Sequence, residues 1–133
     1  MKKVIIDTNF LMVPYKFKVD IFSEFERICD FNYKLYIFEQ SINELKVIME
    51  KQSGKNKKAA QFALKLIKLK NIKIIKSGEN KEVDSLILQS VNKNTIIATQ
   101  DKKLKKELLK KGSAVIILRQ KKYLQLLDGK LYK

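Results

Sequence analysis

The stretch VIIDTNF, residues 4–10, raises the first structural question because a strongly apolar run ends abruptly on polar side chains. Val4, Ile5 and Ile6 are β-branched, and such a run predicts a strand buried on both faces of a parallel sheet. Asp7 follows directly, and a carboxylate at the end of a buried strand is costly unless it has a specific partner. Asp7 is therefore the first candidate for a functional residue.

The rest of the chain alternates between helix-like and strand-like segments. Apolar residues at helical spacing predict helices at 19–31, 41–51, 59–70, 82–93 and 101–112, and short apolar runs predict further strands at 34–38, 72–76, 95–100 and 114–119. This alternation predicts an α/β fold with a mostly parallel sheet. We expect one domain over residues 1–133, with a loop at 51–58 and a basic C-terminal tail at about 119–133.

Several acids have a simple structural explanation at the starts of these helices. Ser41 and Glu44 have the spacing of a capping box, Asp101 is placed to cap its helix, and Asp84 lies in a first turn. Asp7 is the exception, because no helix end obviously needs it.

The composition excludes several kinds of catalysis. The chain has no histidine and a single cysteine, Cys29, so it has no Ser-His-Asp triad, internal disulfide or cysteine zinc cluster. The formal charge of +15, mostly from lysine, favours a nucleic-acid partner over an anionic membrane, although a lysine-rich solvated surface is the alternative. No apolar run approaches the roughly 18 residues of a membrane span, and no signal peptide is recognisable. We expect a soluble cytoplasmic protein with no membrane partner.

Two of the acids follow predicted strands that would be neighbours at the switch point of a parallel sheet. Asp7 ends the first strand and Asp101 follows the fourth, so the two would face each other there. Carboxylates that converge in this way repel unless a cation is bound between them. Oxygen ligands suit Mg²⁺ or Mn²⁺, and one or two such ions can activate water and stabilise charge on a phosphate. Phosphodiester hydrolysis is a reaction that needs acids and metal but no histidine.

Four segments together resemble the PIN domain family of metal-dependent ribonucleases. They are VIIDTNFLM, the acid in INEL, the acid in EVDSLIL, and IIATQDKKLKKELLKKGSAVIIL, in order and over essentially the whole chain. The resemblance implies a three-layer α/β/α fold with strand order 3-2-1-4-5 and a metal-dependent endoribonuclease that hydrolyses RNA. It also implies an acidic cluster that binds Mg²⁺ or Mn²⁺ and catalyses cleavage, formed by Asp7, Glu44, Asp84 and Asp101.

The same resemblance assigns two supporting residues. Asn9 orients ligands or is a turn residue that bonds its own backbone. Thr99 hydrogen-bonds Asp7 or a metal-bound water, or is simply a β-branched strand residue. The chain departs from the family pattern at Gln100, where asparagine is common, and in EVDSL, which carries one Asp where many relatives have two adjacent acids. Glu82 is expected to point elsewhere on its helix.

The closing segment VIILRQKKYLQL resembles the PIN branch tied to ribosomal RNA processing, which implies pre-rRNA or ribosomal precursor particles as partners. The alternatives are a non-catalytic RNA-binding assembly factor of PIN fold and a toxin-type PIN ribonuclease of a toxin–antitoxin pair. PIN domains often pair, so a homodimer is also possible. Tyr123 stacks on an unpaired base or, as we favour, packs the tail on the body. The candidate RNA-binding residues are Lys102, Lys103, Lys105, Lys106, Arg119, Lys121 and Lys122.

Overall fold

Strands and helices alternate along the chain in the computed structural model, which describes residues 1–129. The strands are β1 (Lys2–Ile6), β2 (Tyr33–Phe38), β3 (Lys73–Ile75), β4 (Thr95–Ala98), β5 (Ala114–Arg119) and β6 (Tyr123–Leu127). The helices are α1 (Thr8–Leu11), α2 (Val13–Phe17), α3 (Ile21–Ile28), α4 (Glu39–Lys51), α5 (Gly54–Leu69), α6 (Val83–Ser90) and α7 (Lys102–Lys110). No helix within residues 1–129 combines the length and the apolar character needed to cross a membrane.

The strands form one sheet in the order β3-β2-β1-β4-β5-β6. All neighbouring pairs are parallel except β5 and β6, which are antiparallel. The predicted order 3-2-1-4-5 is therefore confirmed, and β6 extends it at one edge. β1 lies between β2 and β4, with Ile6 paired to Ala98, so the carboxyl ends of β1 and β4 are adjacent.

Helices cover both faces of the sheet, which confirms the predicted three-layer α/β/α architecture. Val4 and Ile6 belong to one buried cluster with Phe10, Phe25 and other side chains of α1–α5. Ile5 belongs to a second cluster with residues of α6 and α7, including Leu108. Because successive strand residues point to opposite faces, a strand covered on both sides is apolar throughout. This explains the VII run.

The segment between β1 and α3 is helical, which the sequence analysis does not predict. Helices as short as α1 and α2 show too little periodicity to be recognised, although Pro14 stands near the start of α2, where proline is favoured. The predicted loop at 51–58 is also wrong in extent. α4 ends at Lys51 and α5 already begins at Gly54, whose φ of +64° allows the sharp reversal between the two helices.

The predicted basic tail is partly a strand. Arg119 ends β5, and a tight turn through Gln120 and Lys121 leads into β6, with the Lys122 amide donating to the Arg119 carbonyl at 2.9 Å. Both turn residues have positive φ, 51° and 56°, as a type I′ turn requires. The sequence lacks the usual Asn-Gly signal for such a turn, so the hairpin is not recognisable from it. Residues 130–133 of the tail lie outside the described residues.

An ion pair on α3 covers the outer edge of β6. The Leu124 amide donates to Glu24 Oε1 at 2.8 Å, and Arg27 Nη2 donates to the Leu124 carbonyl at 2.9 Å. Arg27 Nε also pairs with Glu24 Oε2 at 2.8 Å. The two side chains thus satisfy backbone groups that an edge strand would otherwise leave open to another chain.

We expect Glu24→Ala to destabilise the protein by about 1–2 kcal/mol, because it removes the acceptor of the Leu124 amide and the partner of Arg27. The hydrogen bond from Arg27 lowers the pKa of Glu24 below its ordinary value of 4.5. The stabilisation is therefore present above that value and is lost as the pH falls through the folded pKa. Thermal unfolding at pH 7 and at pH 3 tests both the loss of stability and its pH dependence, with Glu26→Ala, at an exposed position, as control. Equal melting temperatures for the two variants at pH 7 would contradict this role.

Candidate active site

The adjacent ends of β1 and β4 bring Asp7 and Thr99 together. Each residue directly follows its strand, and the register pairs Ile6 with Ala98. Thr99 Oγ1 donates to Asp7 Oδ2 at 2.7 Å and accepts from the Asp101 amide at 3.0 Å. Thr99 therefore contacts Asp7, which is one of the alternatives predicted for it, and links that carboxylate to the backbone at Asp101.

Asp7 is almost completely buried, with 7% of its surface exposed. Its Oδ1 accepts from the Thr8 amide at 2.8 Å, so Asp7 also caps the short helix α1. The expectation that no helix end uses Asp7 is therefore wrong. Burial raises the pKa of Asp7, the hydrogen bonds from Thr99 and Thr8 oppose that shift, and the charges of Asp101 and Asp84 reinforce it. This carboxylate is held in place where its charge is unfavourable.

Glu44 reaches the same place from α4, but not through the predicted capping box. α4 begins at Glu39, with Phe38 as its N-cap, so Ser41 and Glu44 lie inside the helix. Thr8 Oγ1 instead bonds both of them, contacting Ser41 Oγ at 2.8 Å and donating to Glu44 Oε1. Burial raises the pKa of Glu44, and the nearby acids, Asp7 first among them, raise it further. The capping-box assignment is wrong because the helix starts earlier.

Asp84 and Asp101 occupy the helix starts that the sequence predicts. Asp101 is the N-cap of α7, and its Oδ1 accepts from the Lys103 amide at 2.9 Å and the Leu104 amide at 3.1 Å. Asp84 lies in the first turn of α6, where its Oδ1 accepts from the Ser85 amide at 2.9 Å. Both acids therefore have local structural roles, which do not prevent their remaining oxygens from facing a ligand.

One open cavity of about 700 Å³ gathers these acids. Glu82 also lines the cavity, at the N-cap position of α6 and without a capping hydrogen bond, so the expectation that it points elsewhere is wrong. Its charge also contributes to the raised pKa of Glu44. Position 82 precedes the first helical residue, and helical spacing therefore does not apply to it. The acids lining the cavity are Asp7, Glu44, Glu82, Asp84 and Asp101.

Asn9 connects the end of β1, which is followed by Asp7, with the segment between β4 and α7, which carries Asp101. Its Oδ1 accepts from the Gln100 amide, and its carbonyl accepts from Gln100 Nε2, both at 3.3 Å. Asn9 also lines the cavity. The side chain therefore bonds a distant loop and not its own backbone. Gln100, at the position where the family commonly has asparagine, supplies the other half of this link.

The acids suit a hard divalent cation by their chemistry, but they are spread around the cavity. Within residues 1–129, no three His, Cys, Asp or Glu side chains are close enough to hold one metal ion. The ion pairs found in that part of the chain, Arg27–Glu24 and Lys81–Glu79, leave the acids of the cavity without a cationic partner. Mg²⁺ is usually bound through one or two carboxylates, with water and substrate phosphates completing its shell. The donor set therefore fits such an ion.

The candidate RNA-binding residues lie on two segments beside this edge of the sheet. α7 starts directly after Asp101, with Lys102, Lys103 and Lys106 exposed and Lys105 partly exposed. The β5–β6 turn is the second segment. β5 runs parallel to β4 and continues for three residues beyond Ile116, the partner of Ala98, so the turn stands about 10 Å beyond that pair.

The turn carries exposed basic side chains. Arg119 Nε donates to Gln125 Oε1 at 2.6 Å, Lys121 Nζ lies 5.9 Å from the ring centroid of Phe17, and Lys122 is exposed. Tyr123 remains 39% exposed, whereas Leu124 and Leu127 beside it are buried. The two leucines therefore pack the tail on the body, whereas much of the Tyr123 side chain remains exposed.

The fold and the acidic cavity at the strand ends define the class of protein. The chain belongs to the PIN like domain family, whose model matches residues 4–121.

Two related proteins and one solved structure extend this assignment. Ribonuclease VapC4 of Methanocaldococcus jannaschii is 34% identical over 128 residues, covering 95% of this chain and 97% of the relative. Ribonuclease VapC9 of Archaeoglobus fulgidus is 32% identical over 127 residues, covering 93% and 90%. The structure of the PIN domain endonuclease Utp24 matches with a TM-score of 0.76 at 22% identity, over 95% of this chain and 91% of that one. At this identity the last likeness is one of fold.

Proposed function

We propose that the protein is a metal-dependent endoribonuclease. The observation that carries this proposal is the single cavity that collects acids from four separate parts of the chain. We assign catalysis and metal binding to these acids, with Asn9 and Thr99 in support. The near-full-length relatives named ribonucleases favour RNA as the substrate. The assigned acids are Asp7, Glu44, Asp84 and Asp101.

The chain's own residues prepare the cavity for a phosphodiester. Thr99 and the Thr8 amide fix the two oxygens of Asp7, and the Thr8 hydroxyl fixes Glu44. The neighbouring acids raise the pKa of Asp7 and of Glu44, so a cation bound in the cavity would relieve the repulsion on these two carboxylates. A Mg²⁺ or Mn²⁺ ion bound there supplies an activated water and neutralises charge on the phosphate.

Basic residues on α7 and the β5–β6 turn are proposed to hold the RNA backbone at this acidic edge. They would neutralise phosphates on either side of the cut and so offset the repulsion between RNA and the acids. Binding of this kind is independent of sequence and weakens with salt. The proposed contacts are Lys102, Lys103, Lys105, Lys106, Arg119, Lys121 and Lys122.

Ribosomal precursor RNA is the cellular substrate that we propose, because the basic segment 119–123 projects beside the site in the β5–β6 turn. The toxin-type ribonuclease is the second candidate, and the names of ribonucleases VapC4 and VapC9 favour it. The discriminating observation is an adjacent gene for a small antitoxin. A non-catalytic ribosome-assembly factor, the remaining alternative, would bind precursor RNA without cutting it.

A circular RNA tests the proposed activity, because only an endonuclease can open it. We expect the purified protein to linearise labelled single-stranded circles with Mg²⁺ or Mn²⁺ and to lose this activity entirely in excess EDTA. Asp84→Asn should slow the reaction at least 10-fold, whereas Asp30→Asn, an exposed acid outside the cavity, should not. Tight binding without cleavage under every metal condition would instead support the assembly factor.

A further inference from the structure

A second, smaller groove lies between α2, α3 and α5, outside the acidic cavity. Its volume is about 300 Å³, and its lining combines aromatic and basic side chains. Phe22 and Phe62 supply the aromatic faces, and Lys18 and Lys70 supply the positive charges. We call this surface the lysine–aromatic groove, defined by Lys18, Phe22, Phe62 and Lys70.

The two rings of the groove are supported from behind and remain accessible. Phe62 is 39% exposed, although it lies in the middle of α5, and its ring packs against Tyr15 with centroids 6.2 Å apart. Phe22 is partly exposed and meets the buried Phe25 edge-on at 6.3 Å. Rings held in this way lose little entropy when another flat group stacks on them.

The lysines are held over aromatic rings beside the groove. Lys18 Nζ lies 4.4 Å from the ring centroid of Tyr15, and Lys70 Nζ lies 5.2 Å from that of Phe22. Lys18 directly follows α2 with φ of +56°, the left-handed conformation in which many helices end.

One acid, Asp20, also lines the groove, but its oxygens are already engaged. Asp20 Oδ1 accepts from the amides of Phe22 and Ser23, and Oδ2 accepts from Ser23 Oγ at 2.6 Å. Two lysines against one capped carboxylate leave the groove positive. An anionic ligand with a flat apolar face matches this combination of charge and shape.

The lysine–aromatic groove adjoins the acidic cavity through the start of α2. Met12 lines the cavity and Pro14 lines the groove, and Cα atoms two residues apart are at most about 7 Å from each other.

We propose that the lysine–aromatic groove binds single-stranded RNA, stacking an unpaired base on Phe62 and pairing the adjoining phosphates with Lys18 and Lys70. The inference rests on the proposed ribonuclease function, since the groove would hold the substrate of the acidic cavity. Aromatic faces interleaved with lysines are a common means of holding single strands without regard to sequence. A duplex cannot use this groove, because its bases are already stacked and paired.

The test is the affinity of the full chain for a fluorescent single-stranded 12-mer RNA in EDTA, which prevents cleavage. We expect Phe62→Leu, which keeps the bulk but removes the aromatic face, to weaken binding about 5- to 20-fold, and Phe62→Tyr to bind within twofold of wild type. Lys18→Gln and Lys70→Gln should each weaken binding about threefold, whereas Lys110→Gln, at an exposed position at the far end of α7, should not. A 12-base-pair RNA duplex should bind wild type and Phe62→Leu equally.

Two results would overturn the inference. One is single-strand affinity of both Phe62→Leu and Phe62→Ala within twofold of wild type, as expected if the groove instead receives a protein. The other is an equal loss of duplex binding, which would indicate a general change of structure. These failures are distinct from failure of the proposed function, which would appear as absence of circular-RNA cleavage by the wild-type protein.

Discussion

Asp7→Asn is expected to reduce RNA cleavage about 10³-fold or more and, at the same time, to make the metal-free protein more resistant to heat. The loss of activity follows from the position of Asp7 at the junction of β1 and β4, where both of its oxygens are fixed and its charge faces the other acids of the cavity. Asparagine keeps the shape and can still accept from the Thr8 amide, so the fold should be retained.

The gain in stability follows from the cost of the buried charge. Burial and the neighbouring acids raise the pKa of Asp7 above its ordinary value of 3.8, so the folded protein binds this proton more tightly than the unfolded chain does. The contribution of Asp7 to stability is therefore lost as the pH rises from about 3.8 through the pKa of Asp7 in the folded protein. The neutral asparagine removes that loss, and we expect about 1 kcal/mol of added stability at pH 7, or roughly 3–5 °C.

The measurement is thermal unfolding of wild type and Asp7→Asn from pH 3.5 to pH 8 in EDTA, together with circular-RNA cleavage in Mn²⁺. The difference in melting temperature should be small at the acidic end and should grow with pH. Adding Mn²⁺ should raise the melting temperature of wild type more than that of the variant, because bound metal stabilises only the form that binds it. Asp30→Asn provides the control at an exposed position. Unchanged cleavage by Asp7→Asn would refute the assignment of this residue.

The features that the sequence predicts well are those fixed by local pattern and by the topology of parallel sheets. A β-branched run that ends in an acid locates β1 and Asp7, and the alternation of strands and helices predicts the mostly parallel sheet. The order of the inner strands comes from the resemblance to the PIN family. Asp101 caps α7 as predicted, because an N-cap depends only on neighbouring residues. The pairing of β1 with β4 then places Thr99 against Asp7.

The features that the sequence does not predict depend on contacts between distant segments or on exact helix starts. The Ser41–Glu44 spacing satisfies the capping-box rule, yet α4 begins at Glu39, and both side chains bond Thr8 instead. Glu82 precedes the first residue of its helix, so helical spacing does not predict where its side chain lies. The last strand, β6, is held by Glu24 and Arg27 of α3, which no local pattern indicates.

Thr8→Val is expected to lower the rate of RNA cleavage about 10- to 100-fold while leaving the affinity for RNA within threefold of wild type. An ionised Glu44 has no proton to donate, so the Thr8 hydroxyl donates to Glu44 and in turn accepts from Ser41. This chain of hydrogen bonds orients Glu44 toward the cavity. Loss of such an outer contact typically costs a metal site 10- to 100-fold in activity or metal affinity. Thr8→Ser, which keeps the hydroxyl, should retain most of the rate.

A double variant separates this positioning role from a purely structural one. Valine leaves the buried Ser41 hydroxyl without its partner, which should cost about 1–3 kcal/mol of stability. Adding Ser41→Ala removes that unpaired group, so Thr8→Val with Ser41→Ala should recover stability without recovering activity. Thermal unfolding, the cleavage rate at saturating RNA and the Mn²⁺ dependence of that rate distinguish the two effects. If the double variant regained the wild-type rate, the slow cleavage of Thr8→Val would be a consequence of weakened packing, and Glu44 would not need Thr8 for its orientation.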